Sequence, residues 1–171
     1  MAMDQRQNGR TADGSPRAAT RLAEGSWLDA TNRLILKELQ ADARLSLAEL
    51  GRRVGLSSPA VADRVQRLER DGVITGYGAV VDPRAVGYAL AVVIRIRPAP
   101  RQIHKVAELA RATPEVVECH RITGEDCFFM KAHVHSVEHL EEIIDRFVVF
   151  GQTTTSIVQS SPVPGRGVNL D

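Results

Sequence analysis

The sequence predicts an α+β protein, in which an N-terminal winged helix-turn-helix domain precedes a ferredoxin-like βαββαβ domain. Three observations support this. Apolar residues recur at helical spacing up to residue 70, and strand-like segments alternate with two helical stretches over residues 88–159. The charge also changes sign: residues 44–70 hold six basic and three acidic side chains, whereas residues 101–150 hold six basic and nine acidic ones. Only the first region suits a polyanion.

Composition divides the chain into segments. Residues 1–26 are rich in Gly, Ser, Thr, Arg and Asp and have little to bury, so we expect a flexible arm. The tail also lacks an apolar pattern. The boundaries that we predict are a helix-turn-helix domain at 27–81, a linker at 82–88, a βαββαβ domain at 89–160 and a flexible tail at 161–171.

The first domain is predicted to contain three helices. Asp29 can cap the first helix, which runs to about residue 42 with Leu34, Ile35 and Leu39 at helical spacing. A second helix starts at Ser46, which has an acid three residues later as in a capping box. It is short and ends at a glycine.

A third helix is predicted directly after that glycine. Either of two serines can cap it, and the proline that follows suits a first helical turn. Its inward residues are Val61, Val65 and Leu68, and a β-prone segment follows at residues 73–81. The positions predicted to face outward are Ser58, Ala60, Asp63, Arg64 and Arg67.

The second domain opens with a strand at residues 88–97 that is apolar on both alternating faces, so it needs two covers. Two helices cover one face of such a sheet. We expect the other face, with Ala91 and Val93, to be covered by a second copy of the chain. The remaining predicted elements are a helix at 102–112, strands at 116–122 and 127–134, a helix at 137–150 and a strand at 154–159.

The second and third helices form the strongest functional signal. A short helix, a glycine turn and a capped helix with outward arginines are what insertion into the major groove requires. Arg64 and Arg67 can each grip a guanine edge or a phosphate, although a helical hairpin with solvated arginines would give the same pattern. The candidate contacts to double-stranded DNA are Arg44, Ser57, Ser58, Pro59, Ala60, Asp63, Arg64 and Arg67.

Enzyme and metal signatures are weak. No P-loop, dinucleotide fingerprint, nucleophile elbow or zinc-protease motif occurs, so we expect neither catalysis nor a cofactor. His133, His135 and His139 lack an acidic or cysteine partner at ligand spacing, and we expect no metal. Cys119 and Cys127 fit no disulfide framework. No run is long enough to cross a membrane, which favours a cytoplasmic location.

Six stretches of the two domains are together far more specific than any one alone. They are residues 28–33 (LDATNR), 45–57 (LSLAELGRRVGLS), 61–69 (VADRVQRLE), 72–77 (GVITGY), 118–128 (ECHRITGEDCF) and 155–158 (TSIV). These stretches resemble the leucine-responsive regulator/AsnC, or feast/famine, family of transcriptional regulators. The resemblance covers most of the chain from Leu28 to Val158.

The resemblance implies that the sheets dimerise, that dimers assemble further into tetramers or octamers, and that an amino acid or related effector binds between dimers. The effector site would lie near the glycine loop that joins two strands. Cys127 replaces a common aspartate, which shifts the expected ammonium contact to Glu125 or Asp126, and Asn32 replaces an acid, which should affect capping. The candidate effector residues are Thr123, Gly124, Glu125, Asp126, Cys127, Thr155 and Ser156.

These features predict a DNA-binding regulator that responds to a bound amino acid and catalyses no reaction. The effector would change the assembly of dimers, and assembly would set the spacing of the third helices on DNA. The alternative is a stand-alone ferredoxin-like small-molecule-binding or enzyme domain with a helical cap. Binding to duplex DNA that weakens with salt distinguishes the two.

Overall fold

The computed structural model describes residues 28–171, which form two compact units. The helical unit comprises residues 28–79 together with 165–171, and the sheet unit comprises residues 80–164. The predicted arm at 1–26 lies outside the described residues.

The helical unit contains α1 (Ala30–Ala41), α2 (Leu47–Val54) and α3 (Ser58–Arg70), as the helical spacing predicts. Of the apolar residues of α1 at helical spacing, Leu34 is exposed. Its neighbour Leu36 is buried instead, since α1 turns the side that carries Asn32 and Ile35 toward the core. The buried apolar side chains of this unit are Ile35, Leu36, Leu50, Val61, Val65 and Leu68.

The β-prone segment at residues 73–81 forms no strand. The backbone N–H groups of Val73 and Ile74 both donate to the carbonyl oxygen of Leu68, at 2.9 and 3.1 Å. Val73 and Ile74 also pack against the apolar core. A strand requires a pairing partner, and the bonds to the last turn of α3 use these N–H groups instead.

The sheet unit contains six main elements after a 3-10 turn at Arg84–Val86. Its four strands pair antiparallel in the order β2-β3-β1-β4, which confirms the ferredoxin-like βαββαβ prediction. The last strand begins three residues before its predicted start. The elements are β1 (Leu90–Pro98), α4 (Ile103–Arg111), β2 (Val116–Arg121), β3 (Phe128–Val134), α5 (Val137–Val148) and β4 (Gly151–Ile157).

The two faces of this sheet differ in chemistry. Val92, Ile94 and Ile96 of β1 are fully buried in a core shared with α4 and α5. The opposite face starts with half-buried Val93 but continues with charged, exposed side chains at positions 95 and 97. The expectation of an apolar second face therefore holds for the start of β1 alone.

Candidate functional site

The turn between α2 and α3 is built by local capping. The Ser46 side chain accepts a hydrogen bond from the N–H of Glu49 at 3.2 Å, and the Ser57 side chain accepts one from Ala60 at 3.4 Å. Gly55 ends α2 in the left-handed conformation, with φ of 72°. These bonds confirm the predicted helix starts and set the direction of α3.

A buried glycine brings the turn close to α2. The N–H of Leu56 donates to the carbonyl oxygen of Gly51 at 2.8 Å. A Cβ at Gly51 would lie 2.6 Å from the carbonyl oxygen of Leu56, which is backbone and cannot swing away. Only glycine therefore allows this approach of α2 to the turn.

The outward side of α3 carries most of the residues predicted to touch DNA. Val61, Val65 and Leu68 are buried as expected, so the helix is anchored by its opposite side. Of the outward set, Ala60 and Arg64 are half-buried and the others are exposed. The exposed members on α3 are Ser58, Pro59, Asp63 and Arg67, and Ser57 and Arg44 are exposed beside it.

Arg64 was expected to project freely outward, and this is wrong. Its Nη1 donates to Asp29 Oδ2 at 2.7 Å and to Asn32 Oδ1 at 2.9 Å. Asp29 also caps α1, because its Oδ1 accepts from the N–H of Asn32 at 2.7 Å. The hydrogen bond from Arg64 holds the pKa of Asp29 below its ordinary value. Arg64 thus ties α3 to the start of α1, and Asn32 takes part in that contact rather than in capping alone.

Other arginines of the helical unit are also paired. Glu49 accepts from Arg52 Nη2 at 2.6 Å and from Arg53 Nε at 2.8 Å, and Arg53 also reaches Glu38 at 2.8 Å. These two guanidinium groups lower the pKa of Glu49 to about 2. Arg67 also pairs, with Asp71 at 3.6 Å, but this contact is longer and the Arg67 side chain is 63% exposed.

The loop between β2 and β3 holds five of the predicted effector residues together. The N–H of Ile122 donates to the carbonyl oxygen of Cys127 at 3.0 Å, and the N–H of Cys127 donates to that of Ile96 at 3.0 Å. Gly124 has φ of 111°, a conformation that favours glycine. Thr123, Gly124 and Glu125 are exposed, whereas Asp126 and Cys127 are half-buried.

Both loop carboxylates already have partners from β1, which sequence reasoning missed. Asp126 pairs with Arg95 at 3.2 Å. Arg97 pairs with the Glu125 carboxylate through Nη2, and its Nε donates to the Glu125 carbonyl oxygen at 3.2 Å. The alternation of β1 was the available signal, because positions 95 and 97 follow Val93 on one face.

The two predicted effector residues on β4 do not share a face. Thr155 pairs with Ile94, whose side chain faces the helices, and Ser156 pairs with Val93 on the other face. The β4 residues opposite the two arginines are Thr154 and Gln152. The structure therefore brings residues 123–127 together but separates this pair.

The histidine cluster is held by ring contacts. His135 stacks on Tyr88 with centroids 4.4 Å apart and on His139 at 5.2 Å, and its Nδ1 lies 2.8 Å from the carbonyl oxygen of Gly87. His139 Nε2 lies 3.3 Å from a carboxylate oxygen of Glu115. Within residues 28–171, no group of three or more His, Cys, Asp or Glu side chains is placed to hold a metal ion.

Residues 28–75 match the family model for winged helix-turn-helix DNA-binding domains, and residues 91–168 match the model of the Lrp/AsnC ligand binding domain. The HTH-type transcriptional regulator YezC of Bacillus subtilis is 40% identical over 134 residues, which cover 78% of this chain and 95% of YezC. The chain belongs to the Lrp/AsnC family. It is a DNA-binding transcriptional regulator of that family, and its relatives are regulators rather than enzymes.

Solved structures of Lrp/AsnC proteins share this fold. The feast or famine regulatory protein of Mycobacterium tuberculosis, complexed with L-methionine, has a TM-score of 0.78 and 34% identity, covering 82% of this chain and 98% of its own. A transcriptional regulator of Neisseria meningitidis, also with L-methionine, has a TM-score of 0.75 and 26% identity over 81% of this chain and 93% of its own. These likenesses confirm the predicted α+β fold class.

Among residues 28–171, no helix combines the length and apolar character needed to cross a bilayer.

Proposed function

We propose that this Lrp/AsnC regulator binds double-stranded DNA sequence-specifically by inserting α3 into the major groove. The observation that carries the proposal is the exposed outward side of a helix whose other side is fully anchored. Cytoplasmic DNA would be its target. The proposed contacts remain Arg44, Ser57, Ser58, Pro59, Ala60, Asp63, Arg64 and Arg67.

The contacts within the helical unit indicate different roles for Arg67 and Arg64. Arg67 is largely exposed, so its guanidinium group is available to a guanine edge or a phosphate. Arg64 keeps Nη1 on Asp29 and Asn32, so it offers DNA only its remaining N–H groups. We therefore assign base or phosphate binding to Arg67 and mainly the orientation of α3 to Arg64.

Salt-dependent binding to a mixed-sequence duplex tests the DNA proposal. We expect affinity to fall steeply between 50 and 200 mM salt, by roughly 10³-fold or more if six phosphates are contacted. Arg67→Glu should remove most of this binding, whereas Arg111→Glu, an exposed site on α4 with the same charge change, should not. A protein that ignores duplex DNA at low salt would refute the proposal.

We infer that the effector is an amino acid bound near the β2–β3 loop at a subunit interface. The L-methionine complexes of two structural neighbours support the ligand class. The loop offers carboxylates and β1 offers guanidinium groups, which suit the two ends of a zwitterion. The proposed ligand residues are Thr123, Gly124, Glu125, Asp126, Cys127, Thr155 and Ser156.

Thermal unfolding against the twenty amino acids tests this effector proposal. A ligand at 100 times its Kd should stabilise the folded protein by about 2.7 kcal/mol. Asp126→Asn should reduce the shift, and Glu142→Gln, on the exposed side of α5, should leave it unchanged. The absence of any shift with all twenty would count against an amino-acid effector.

We also propose that the chain forms a homodimer through the open sheet face and that dimers assemble into tetramers or octamers. An effector shifts such an equilibrium only by its difference in affinity for the two assemblies, typically worth about 1–3 kcal/mol. Light scattering with and without the amino acid found by unfolding measures the change. An unchanged mass together with unchanged DNA affinity would contradict coupling.

A further inference from the structure

Residues 165–171, which we call the C-terminal segment, lie along one side of α1. Three polar side chains of α1 contact the segment, and their spacings of four and three residues place them on one face of the helix. Each reaches a different residue, which fixes the register of the segment. The contacts join Arg33 Nη1 to the Leu170 carbonyl oxygen (3.5 Å), Lys37 Nζ to Asp171 Oδ1 (3.1 Å) and Gln40 Nε2 to the Val168 carbonyl oxygen (3.3 Å).

An apolar anchor accompanies these polar contacts. Leu170 is half-buried and packs against the core cluster of the helical unit. Val168 and Leu170 form one wall of a groove of about 360 Å³ that stays open beside the segment, and its other walls are α1 and residues 73–78. Leu170 thus covers part of the apolar surface beside α1, whereas Val168 is 75% exposed.

A glycine allows the close approach of the segment. Gly167 lies so near the Gln40 side chain that a Cβ there would collide with its amide oxygen. A larger residue would displace the flexible Gln40 side chain, whose amide donates to Val168. Gly167 therefore favours this one hydrogen bond between α1 and the segment.

We propose that the surface formed by α1 and residues 73–78 binds a peptide, and that this peptide is the chain's own C-terminal segment, held by its contacts to α1 and by Leu170. The segment completes the helical unit and stabilises α1. Covalent attachment makes docking of the segment intramolecular, so exposed contacts that are individually weak can together hold it in place.

Hydrogen exchange on a chain that ends at Pro164 tests the proposal. We expect amides of α1 to exchange about fivefold faster than in the full chain, while those of β3 in the sheet unit keep their rates. The melting temperature of the helical unit should fall by about 5 °C. A peptide of residues 165–171 added at millimolar concentration should restore slow exchange, and the same peptide with Leu170→Ala should not.

Point variants of the full chain keep the test independent of the truncation. Leu170→Ala should speed exchange in α1, whereas Val163→Ala, at an exposed position before the segment, should not. Unchanged α1 exchange after truncation would overturn the proposal, as would equal rescue by both peptides. If exchange of the α1 amides slows as protein concentration rises, the segment binds to a second copy of the chain. That result would overturn the proposal that it binds within its own chain.

Discussion

The helical unit and the sheet unit leave different amounts of charge available at their candidate sites. On α3, Arg67 is 63% exposed, and its nearest carboxylate is 3.6 Å away. In the β2–β3 loop, both carboxylates are paired with arginines of β1. Both sites thus contain ion pairs, but the pair of Arg67 is longer, and its guanidinium group is more exposed than those of Arg95 and Arg97.

This difference suits two kinds of ligand. A polyanion gains affinity by releasing counterions, and the exposed Arg67 can take part by giving up its 3.6 Å pair with Asp71. A zwitterion at the loop must exchange with existing ion pairs, so it gains only the difference between the old and new contacts. We therefore expect single-residue changes to affect DNA binding more strongly than they affect the loop.

The largest expected effects come from one glycine in each unit. Gly51→Ala places a Cβ against the Leu56 carbonyl oxygen, and Gly151→Ala places one against that of Arg97. Each should lower the free energy of unfolding of its own unit by about 1–3 kcal/mol through overpacking. Hydrogen exchange measured separately in α2 and β1 assigns the loss to a unit.

Gly78→Ala is the matched control, because a Cβ there meets nothing within 4 Å. We expect Gly51→Ala to weaken DNA binding and Gly151→Ala to leave it nearly intact. If either Gly51→Ala or Gly151→Ala speeds hydrogen exchange equally in both units, the two units do not unfold independently.

The next effect separates the two arginines of α3. Arg67→Ala should weaken binding to duplex DNA about tenfold and reduce the salt slope by about one, because one contact is lost. Its free energy of unfolding should stay within about 0.5 kcal/mol of the parent, as for ordinary surface changes. Fluorescence anisotropy and denaturant unfolding measure the two quantities.

Arg64→Ala should reduce both the affinity for duplex DNA and the free energy of unfolding. The loss of its bonds to Asp29 and Asn32 should cost about 1 kcal/mol of stability. Similar behaviour of the two variants in both assays would refute the division of roles.

A smaller effect concerns the cap of α1. Asp29→Ala should cost about 1 kcal/mol, whereas Asp29→Asn keeps a cap and loses only the charge toward Arg64. The pKa of Asp29 is lowered below its ordinary value of 3.8, so its contribution is complete above that pH and disappears as pH falls through the lowered value. As pH falls below about 4, the free energy of unfolding should therefore decrease less in Asp29→Asn than in the parent. An identical acid profile would exclude the ion pair as a source of stability.

The smallest expected effect lies in the β2–β3 loop. Asp126→Asn removes the charge facing Arg95 and should change the free energy of unfolding by less than about 1 kcal/mol, because both side chains are partly exposed. The difference from the parent should shrink in 1 M salt, where the Debye length is about 3 Å. A loss that persists at high salt would show that the contact of Asp126 with Arg95 stabilises the loop by something other than charge attraction.

Local chemistry made much of the fold predictable. Asp29, Ser46 and Ser57 each cap a helix through an N–H three residues later, so their pattern is visible in a short window. The alternation of buried residues along β1 and β3 was visible for the same reason.

The errors concern partners that are distant in sequence. Arg64 and Asp29 are 35 residues apart, and Arg97 and Glu125 are 28 apart, so no local pattern shows that these charges meet. The β-prone residues 73–81 form no strand, because β propensity does not supply a pairing partner. Within the candidate sites, sequence reasoning selected the exposed residues of α3 and the loop but missed the arginines of β1.

The helical unit consists of two parts of the chain, residues 28–79 and 165–171, so it cannot be completed until synthesis reaches the C-terminal segment. The ribosome adds about 85 residues after position 79 before it reaches the C-terminal segment, a delay of roughly 4 to 17 s at bacterial and eukaryotic elongation rates. During that interval the nascent helices can fold, but the groove beside α1 stays uncovered until the whole sheet unit has been translated. Docking of the C-terminal segment on α1 is thus a late step in folding, because Arg33 contacts Leu170, which is 137 residues further along the chain.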